Sequence, residues 1–156
     1  MKHIITLPIA PCPAPRQSRS DAWNPRPCVI RYRQFRDEVA ALWPEGLALP
    51  EYPAILFTVA IAKSISKKKR ALLDGTAHLS TPDADNLLKA FLDALYRDED
   101  DSHVWNALPV KVWGLQGSIA VFSHTCDIDS MISQTKAPRA DGALTSRREK
   151  LSRLHP

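Results

Sequence analysis

The chain has 156 residues, 44% of them hydrophobic and 24% charged, with a formal net charge of +4. That is enough for one domain with a core and too little for two, and the composition excludes a disordered protein. No apolar run approaches the roughly 20 residues that cross a bilayer, so no membrane partner is expected.

His3–Leu7 reads as a short first strand that ends at Pro8. The early lysine and apolar stretch raise the question of a secretory signal. Pro8, Pro11, Pro13 and Pro15 break that stretch and no small-x-small cleavage site follows, so a cytoplasmic location is expected. Cys12, Cys28 and Cys126 form no Cys-x-x-Cys pair, which points to reduced thiols rather than zinc or a disulfide framework. A loop rich in Pro, Arg and Ser runs from Pro11 to about Cys28.

Tyr32–Trp43 sets Phe35, Val39, Leu42 and Trp43 at i, i+4, i+7 and i+8, an amphipathic helix that stops before Pro44 and Gly46. In Ala54–Ile61 the residues Ile55, Phe57, Val59 and Ile61 alternate as a second strand. Lys63–Ser80 has no sustained period, contains Lys67-Lys68-Lys69-Arg70 and Gly75, and reads as a long loop. A second helix over Asp85–Tyr96 places Leu88, Phe91, Leu92 and Leu95 on one face. His103–Trp113 and Ser118–His124 read as two strands joined by a turn around Gly114–Gly117. Pro109 makes the first of them an edge strand or a bulged one. Trp105 and Trp113, at strand spacing, are expected in the core or a dimer interface.

The expected fold is a single α/β domain over residues 1–124, in β-α-β-α-β-β order, with a small mixed four-stranded sheet packed against two helices. Residues 125–156 read as a basic, poorly ordered tail with a short helix near Ser146–Leu154.

Charge is unevenly spread. Residues 1–82 carry 12 Lys/Arg against 6 Asp/Glu, residues 83–109 carry 2 against 7, and residues 110–156 carry 7 against 4. An acidic island in a basic chain suits a nuclease, with basic surface for phosphates and carboxylates for a divalent metal. The island opens with Pro82-Asp83-Ala84-Asp85-Asn86-Leu87-Leu88-Lys89 and closes with Asp98-Glu99-Asp100-Asp101. Two aspartates one residue apart at a helix mouth can aim their oxygens into one volume, and a third carboxylate from the following loop completes a hard site for Mg²⁺. Lys89, one turn after Asp85, can stabilise charge on a phosphate in transit. The bland alternatives are helix capping by the aspartates and an i, i+4 salt bridge by the lysine. His78, His103 and His124 read as surface or sheet residues, with His103 notable for standing two residues after Asp101. The run Lys67, Lys68, Lys69, Arg70, set before an acidic site in a basic chain, reads as a phosphate-contacting arm.

Thr81-Pro-Asp83-Ala-Asp85-Asn86-Leu-Leu-Lys89-Ala-Phe-Leu-Asp93-Ala-Leu, then Asp100-Asp101-Ser-His-Val104, resembles the signature of RusA-like Holliday junction resolvases. Those are crossover junction endodeoxyribonucleases, and their pattern is Asp-x-Asp-Asn-Leu-x-Lys, an Asp-Ala-Leu helix and Asp-Asp-x-x-Val. The likeness extends over about residues 3–124 and includes the loop Pro13-Ala-Pro-Arg16-Gln-Ser-Arg19 with Trp23. An Asn-containing motif common elsewhere in that loop is missing. The resemblance implies Asp83, Asp85 and Asp101 as catalytic metal ligands and Lys89 as the catalytic lysine. It also implies DNA contacts at Arg16 and Arg19, Mg²⁺ (or Mn²⁺) as cofactor, and a homodimer acting on four-way junction DNA in recombination and repair. Asp101 is preferred to Asp100 because it stands three residues before Val104. The rival readings are a junction binder that does not cleave and a metal-dependent phosphoesterase on small substrates. Because the four-residue return from that helix to Asp101 would be nearly taut, either the helix ends early, near Ala94, or Asp101 is supplied in part by an approach across the dimer axis; the first is preferred, with the three carboxylates of one chain within about 8 Å.

Overall fold

The computed structural model describes residues 1–97 and 99–124. The expected tail, with its helix near Ser146–Leu154 and Cys126, lies outside the described residues. The elements are β1 (Lys2–Leu7), α1 (Pro27–Leu42), β2 (Pro53–Ala60), α2 (Lys67–Leu73), α3 (Ala84–Leu95), β3 (Leu108–Gly114) and β4 (Ser118–Ser123), with a short 3-10 turn at Arg19–Ala22. The sheet has four strands in the order β1-β4-β2-β3. β4 is antiparallel to both β1 and β2, whereas β3 runs parallel to β2. The fold is thus a single-domain α/β arrangement with a mixed sheet. Pro109 does sit on the edge strand β3, where its missing N–H breaks no ladder with a further strand.

Consecutive strands β3 and β4 are not partners, because β4 passes over to the far side of β2. Gly117 lets that turn close onto the first loop: a Cβ there would stand 2.7 Å from the Cα of Ala10. Leu7, Ile55, Phe57, Ile119 and Val121 from the sheet meet Tyr32, Phe35 and Val39 of α1 and Leu87, Ala90, Phe91 and Ala94 of α3 in one core. The rings of Phe57 and Phe91 meet edge to face at 6.3 Å, which fixes α3 against β2.

Three readings of the elements need correction. α1 begins at Pro27, not Tyr32, because proline at the first helical position gives up an N–H that has no helical acceptor anyway. Its buried stripe is Val29, Tyr32, Phe35 and Val39, while Leu42 stays exposed. The basic run is not loop but the start of α2, whose residues are good helix formers and whose cap is Ser66, accepting from the Lys69 N–H. No residue of α2 is buried, so it needs no apolar period and shows none. The strand expected from His103 begins only at Leu108. Trp105 lies outside it, 60% exposed and edge-on to Tyr52.

Candidate active site

α3 occupies the crossover between parallel strands β2 and β3. Its amphipathic face anchors it to the sheet and leaves its first turn in solvent. Asp83 is the N-cap residue and Asp85 lies in the first turn, both exposed. An N-cap aspartate ordinarily accepts a hydrogen bond from the first free amides. The side chain of Asp83 makes no such bond. The capping alternative therefore fails for the residue best placed for it.

The approach to Asp83 is fixed from β3. The Lys111 ammonium donates to the carbonyls of both Ser80 and Pro82, which flank Thr81 immediately before the N-cap. Sequence reasoning missed this lysine, since one cation in an edge strand carries no motif. The Thr81–Pro82 peptide between the two acceptors is cis.

Lys89 is exposed on the same helix. The ion pairs among the described residues are Arg26–Asp21 and Arg97–Asp37, so Lys89 is not tied to Asp85 in the i, i+4 pair that spacing allows. Instead Lys89 lines a hollow of about 460 Å³ with Arg16, Gln17, Asn86, Tyr32 and Asp93. The Tyr32 hydroxyl donates to Asp93 Oδ2 at 2.9 Å. Burial, with the neighbouring Asp93 carboxylate, pushes the Tyr32 phenol up to about 12.

The third carboxylate is placed differently. α3 runs on to Leu95, one residue past the expected early end. The loop after it folds against the helix's own C-terminal end, where the His103 ring meets Tyr96 at 4.8 Å. Burial raises the Tyr96 phenol, and the charges of Glu99 and Asp101 raise it further. Among the described residues, no group of three His, Cys, Asp or Glu side chains is assembled to hold a metal ion. Asp83, Asp85 and Asp101 are therefore not assembled as a three-carboxylate metal site within one chain. A helix in a parallel crossover runs back along the sheet, which carries the chain away from its acidic first turn before Asp101 is reached.

Asp100 is committed locally. It accepts from the Ser102 hydroxyl at 2.6 Å and from the Ser102 N–H at 3.0 Å, which lowers its carboxyl below the usual range. Among the described acids of this loop, Asp101, half-buried, and Glu99, exposed, are the ones whose carboxylates are not spent on a turn. His103 donates through Nδ1 to the Asp100 carbonyl at 2.9 Å and serves the same turn. His78 is buried against Trp113 with ring centroids 4.0 Å apart.

The donor chemistry at the mouth of α3 suits Mg²⁺. That ion takes one or two carboxylates, retains waters and fills the rest of its octahedron with substrate phosphate. Asp83 and Asp85, both exposed there, would supply the two carboxylates. Of the basic groups, Arg16 shares a hollow with Asn86 and Lys89 of α3, Arg19 is exposed in the first loop, and Lys67, Lys68 and Lys69 are exposed along α2 with Arg70 half-buried. No helix among the described residues is long and apolar enough to cross a membrane.

A family model described as Endodeoxyribonuclease RusA matches residues 8–122. That span takes in the first loop, both core helices, the basic helix and every candidate carboxylate. No curated protein and no solved structure gives a significant match.

Proposed function

The chain belongs to the endodeoxyribonuclease RusA family, and on that premise we propose that it is a Mg²⁺-dependent endonuclease that resolves four-way DNA junctions by paired nicks in recombination and repair. The observation that carries the reading is the pair Asp83 and Asp85, exposed at the mouth of α3 and used neither for capping nor for an ion pair. Two acids beside a phosphate-binding surface weaken DNA binding unless they hold a cation.

In this reading Asp83 and Asp85 would hold the ion, with Mn²⁺ able to replace Mg²⁺, and Asp101, which its own chain sets toward the far end of α3, would reach it as third ligand from the partner protomer across the dimer axis. When bound, the metal polarises the scissile phosphate and supplies a hydroxide nucleophile near neutral pH. Lys89, free of Asp85, stabilises the negative charge that develops on the phosphate and the departing oxygen. Lys111 holds the Ser80–Pro82 turn and so keeps the Asp83 carboxylate directed at solvent. Arg16, Arg19, Lys67, Lys68, Lys69 and Arg70 take flanking phosphates, which supplies affinity with little sequence information.

A four-way junction is nearly two-fold symmetric, and paired nicks need two active sites related by a matching axis. A C2 homodimer provides them. The deciding experiment compares cleavage of a synthetic four-way junction and a linear duplex, with Mg²⁺ and with chelator. Metal-dependent nicks at symmetric positions in the junction alone are expected. Junction binding without cleavage would reduce the protein to a binder, and cleavage of small phosphodiesters alone would make it a phosphoesterase.

A further inference from the structure

The loop between β1 and α1 is held together around a buried acid. Asp21 is 1% exposed, and its carboxylate accepts from the Ser18 N–H at 2.7 Å, the Ser18 hydroxyl at 2.8 Å and Arg26 Nε at 3.0 Å. Arg26 Nη2 adds a further bond to Asp21 at 2.9 Å and also donates to the Arg16 carbonyl. Arg33, from α1, donates to the Asp21 carbonyl at 2.9 Å. The acid is buried and the Arg26 side chain half exposed, so the pair is a weak source of stability, but its several bonds fix geometry. What they fix is the 3-10 turn Arg19–Ala22, and directly after that turn stands Trp23, 78% exposed.

Leaving an indole in water forgoes the burial that makes tryptophan worth placing in a protein. The surroundings state which ligand would recover it. Residues 11–36 contain six arginines and one acid, Asp21, whose charge Arg26 neutralises within the fold. Arg16, Arg19, Arg31 and Arg33 are left exposed on this stretch. A flat aromatic face amid unneutralised guanidinium groups fits a ligand that is itself flat, aromatic and anionic, as a nucleotide is.

We propose that Trp23 is a stacking platform for a nucleobase exposed at the branch point of the DNA, with Arg16 and Arg19 holding the phosphates on either side of it. This rests on the junction-nuclease reading above and adds to it the group that tells a branch from a duplex. Inside a continuous duplex both faces of every base are covered by neighbours. At a branch point the stack is interrupted, and a face is free to meet the indole. Arg16 joins this loop to the catalytic region. It lines one hollow with Arg26 and Arg31, and it lines the hollow of α3 that contains Asn86 and Lys89. A base on Trp23 and a phosphate at Lys89 would thus lie on neighbouring parts of one surface.

The test uses full-length protein made inactive by Asp83→Asn. It is titrated with a four-way junction carrying 2-aminopurine at the branch point, and with a linear duplex of the same sequence, over a series of salt concentrations. Adding Trp23→Ala should lower junction affinity roughly 5- to 150-fold and abolish the change in 2-aminopurine fluorescence. Duplex affinity and the log–log salt slope should be unaltered, because stacking releases no counterions. Trp23→Phe should keep most of both signals. Unchanged junction affinity in Trp23→Ala overturns the platform, and so does an equal loss on duplex or a flattened salt slope. A change of oligomeric state in Trp23→Ala would assign the indole to a protein interface and overturn it as well. If the Asp83→Asn parent fails to prefer junction over duplex, the junction reading itself fails and takes this proposal with it.

Discussion

Asp21, inside the 3-10 turn Arg19–Ala22, and Asp83, at the start of α3, are used in opposite ways. Asp21 is enclosed by donors from Ser18 and Arg26, and those donors, the Arg26 guanidinium first, hold its carboxyl well below the usual range. Asp83 stands where an N-cap carboxylate would be satisfied by the helix itself, and it makes no such bond. In the first loop a charge is spent on shape. At the mouth of α3 the shape, set by Lys111 and by the buried face of the helix, leaves a charge unspent. A carboxylate whose partners are all internal belongs to the fold, and one that the fold supports without using is available for chemistry.

The largest effect should come from the unspent pair. Asp83→Asn or Asp85→Asn should reduce Mg²⁺-dependent junction cleavage by on the order of a hundredfold or more, while junction binding persists or tightens. Melting temperature should hardly move, because neither side chain supports the fold. A variant that nicks junctions at the parent rate would erase the contrast with Asp21. Lys111→Met sharpens the same contrast from behind. It removes the cation that grips the Ser80 and Pro82 carbonyls, and a carboxylate displaced by about 1 Å costs on the order of a hundredfold in rate. Junction affinity should stay near the parent value, so the loss should appear in single-turnover rate rather than in binding.

The basic helix gives a smaller and graded effect. Replacing Lys67, Lys68, Lys69 and Arg70 with alanine should weaken DNA binding and lower the log–log salt slope by roughly 0.9 for each phosphate that is no longer neutralised. An unchanged slope would make α2 a solvated helix with no part in the interface. Asp21→Asn tests the other half of the comparison. Its depressed carboxyl contributes stability that is present above the unfolded-state value and disappears as pH falls through the folded one. The variant should melt lower at neutral pH and show a shallower loss of stability on acidification, with the single-turnover Mg²⁺-dependent cleavage rate at saturating junction retained by the folded fraction. Loss of cleavage out of proportion to loss of folded protein would bring this loop into the catalytic machinery.

Legibility in the sequence followed how local each cause is. β2 and α3 are driven by their own periodicity, and both emerge within a residue or two of the expected limits. The stripe of α3 is centred on Leu87, Ala90, Phe91 and Ala94 rather than on its leucines alone, because small alanines allow close packing and carry little hydrophobic signal. α2 was invisible as a helix since none of its residues is buried. The aspartate pair and Lys89 were legible as a motif. Asp101 was legible as a residue but not as a position, which depends on the crossover. Asp21 and Lys111 were not legible at all, because their partners at Arg26 and at Ser80 and Pro82 become neighbours only through turns and strand placement.

Tyr32→Phe has the smallest expected effect and the sharpest pH signature. Tyr32 joins α1 to α3 through its bond to Asp93, on the wall of the hollow that also contains Lys89 and Arg16. Phenylalanine keeps the ring in the core and removes only the donor, leaving a half-buried carboxylate without its partner. That should cost about 1–3 kcal/mol. The phenol is pushed up to about 12, whereas it titrates near its ordinary value of 10 when unfolded. A group raised in the folded state contributes stability that is complete below the unfolded value and is lost as pH rises through the folded one. Parent protein should therefore lose stability from about pH 10 to about pH 12, and Tyr32→Phe should lack that part of the decline. Since Asp93 shares that hollow with Lys89, junction cleavage at neutral pH also serves as a readout. If Tyr32–Asp93 is only a brace between helices, folded Tyr32→Phe cleaves at the parent rate. If the freed Asp93 turns to pair with Lys89, cleavage falls while junction binding holds, and the line between carboxylates of the fold and carboxylates of the site must be redrawn to include it.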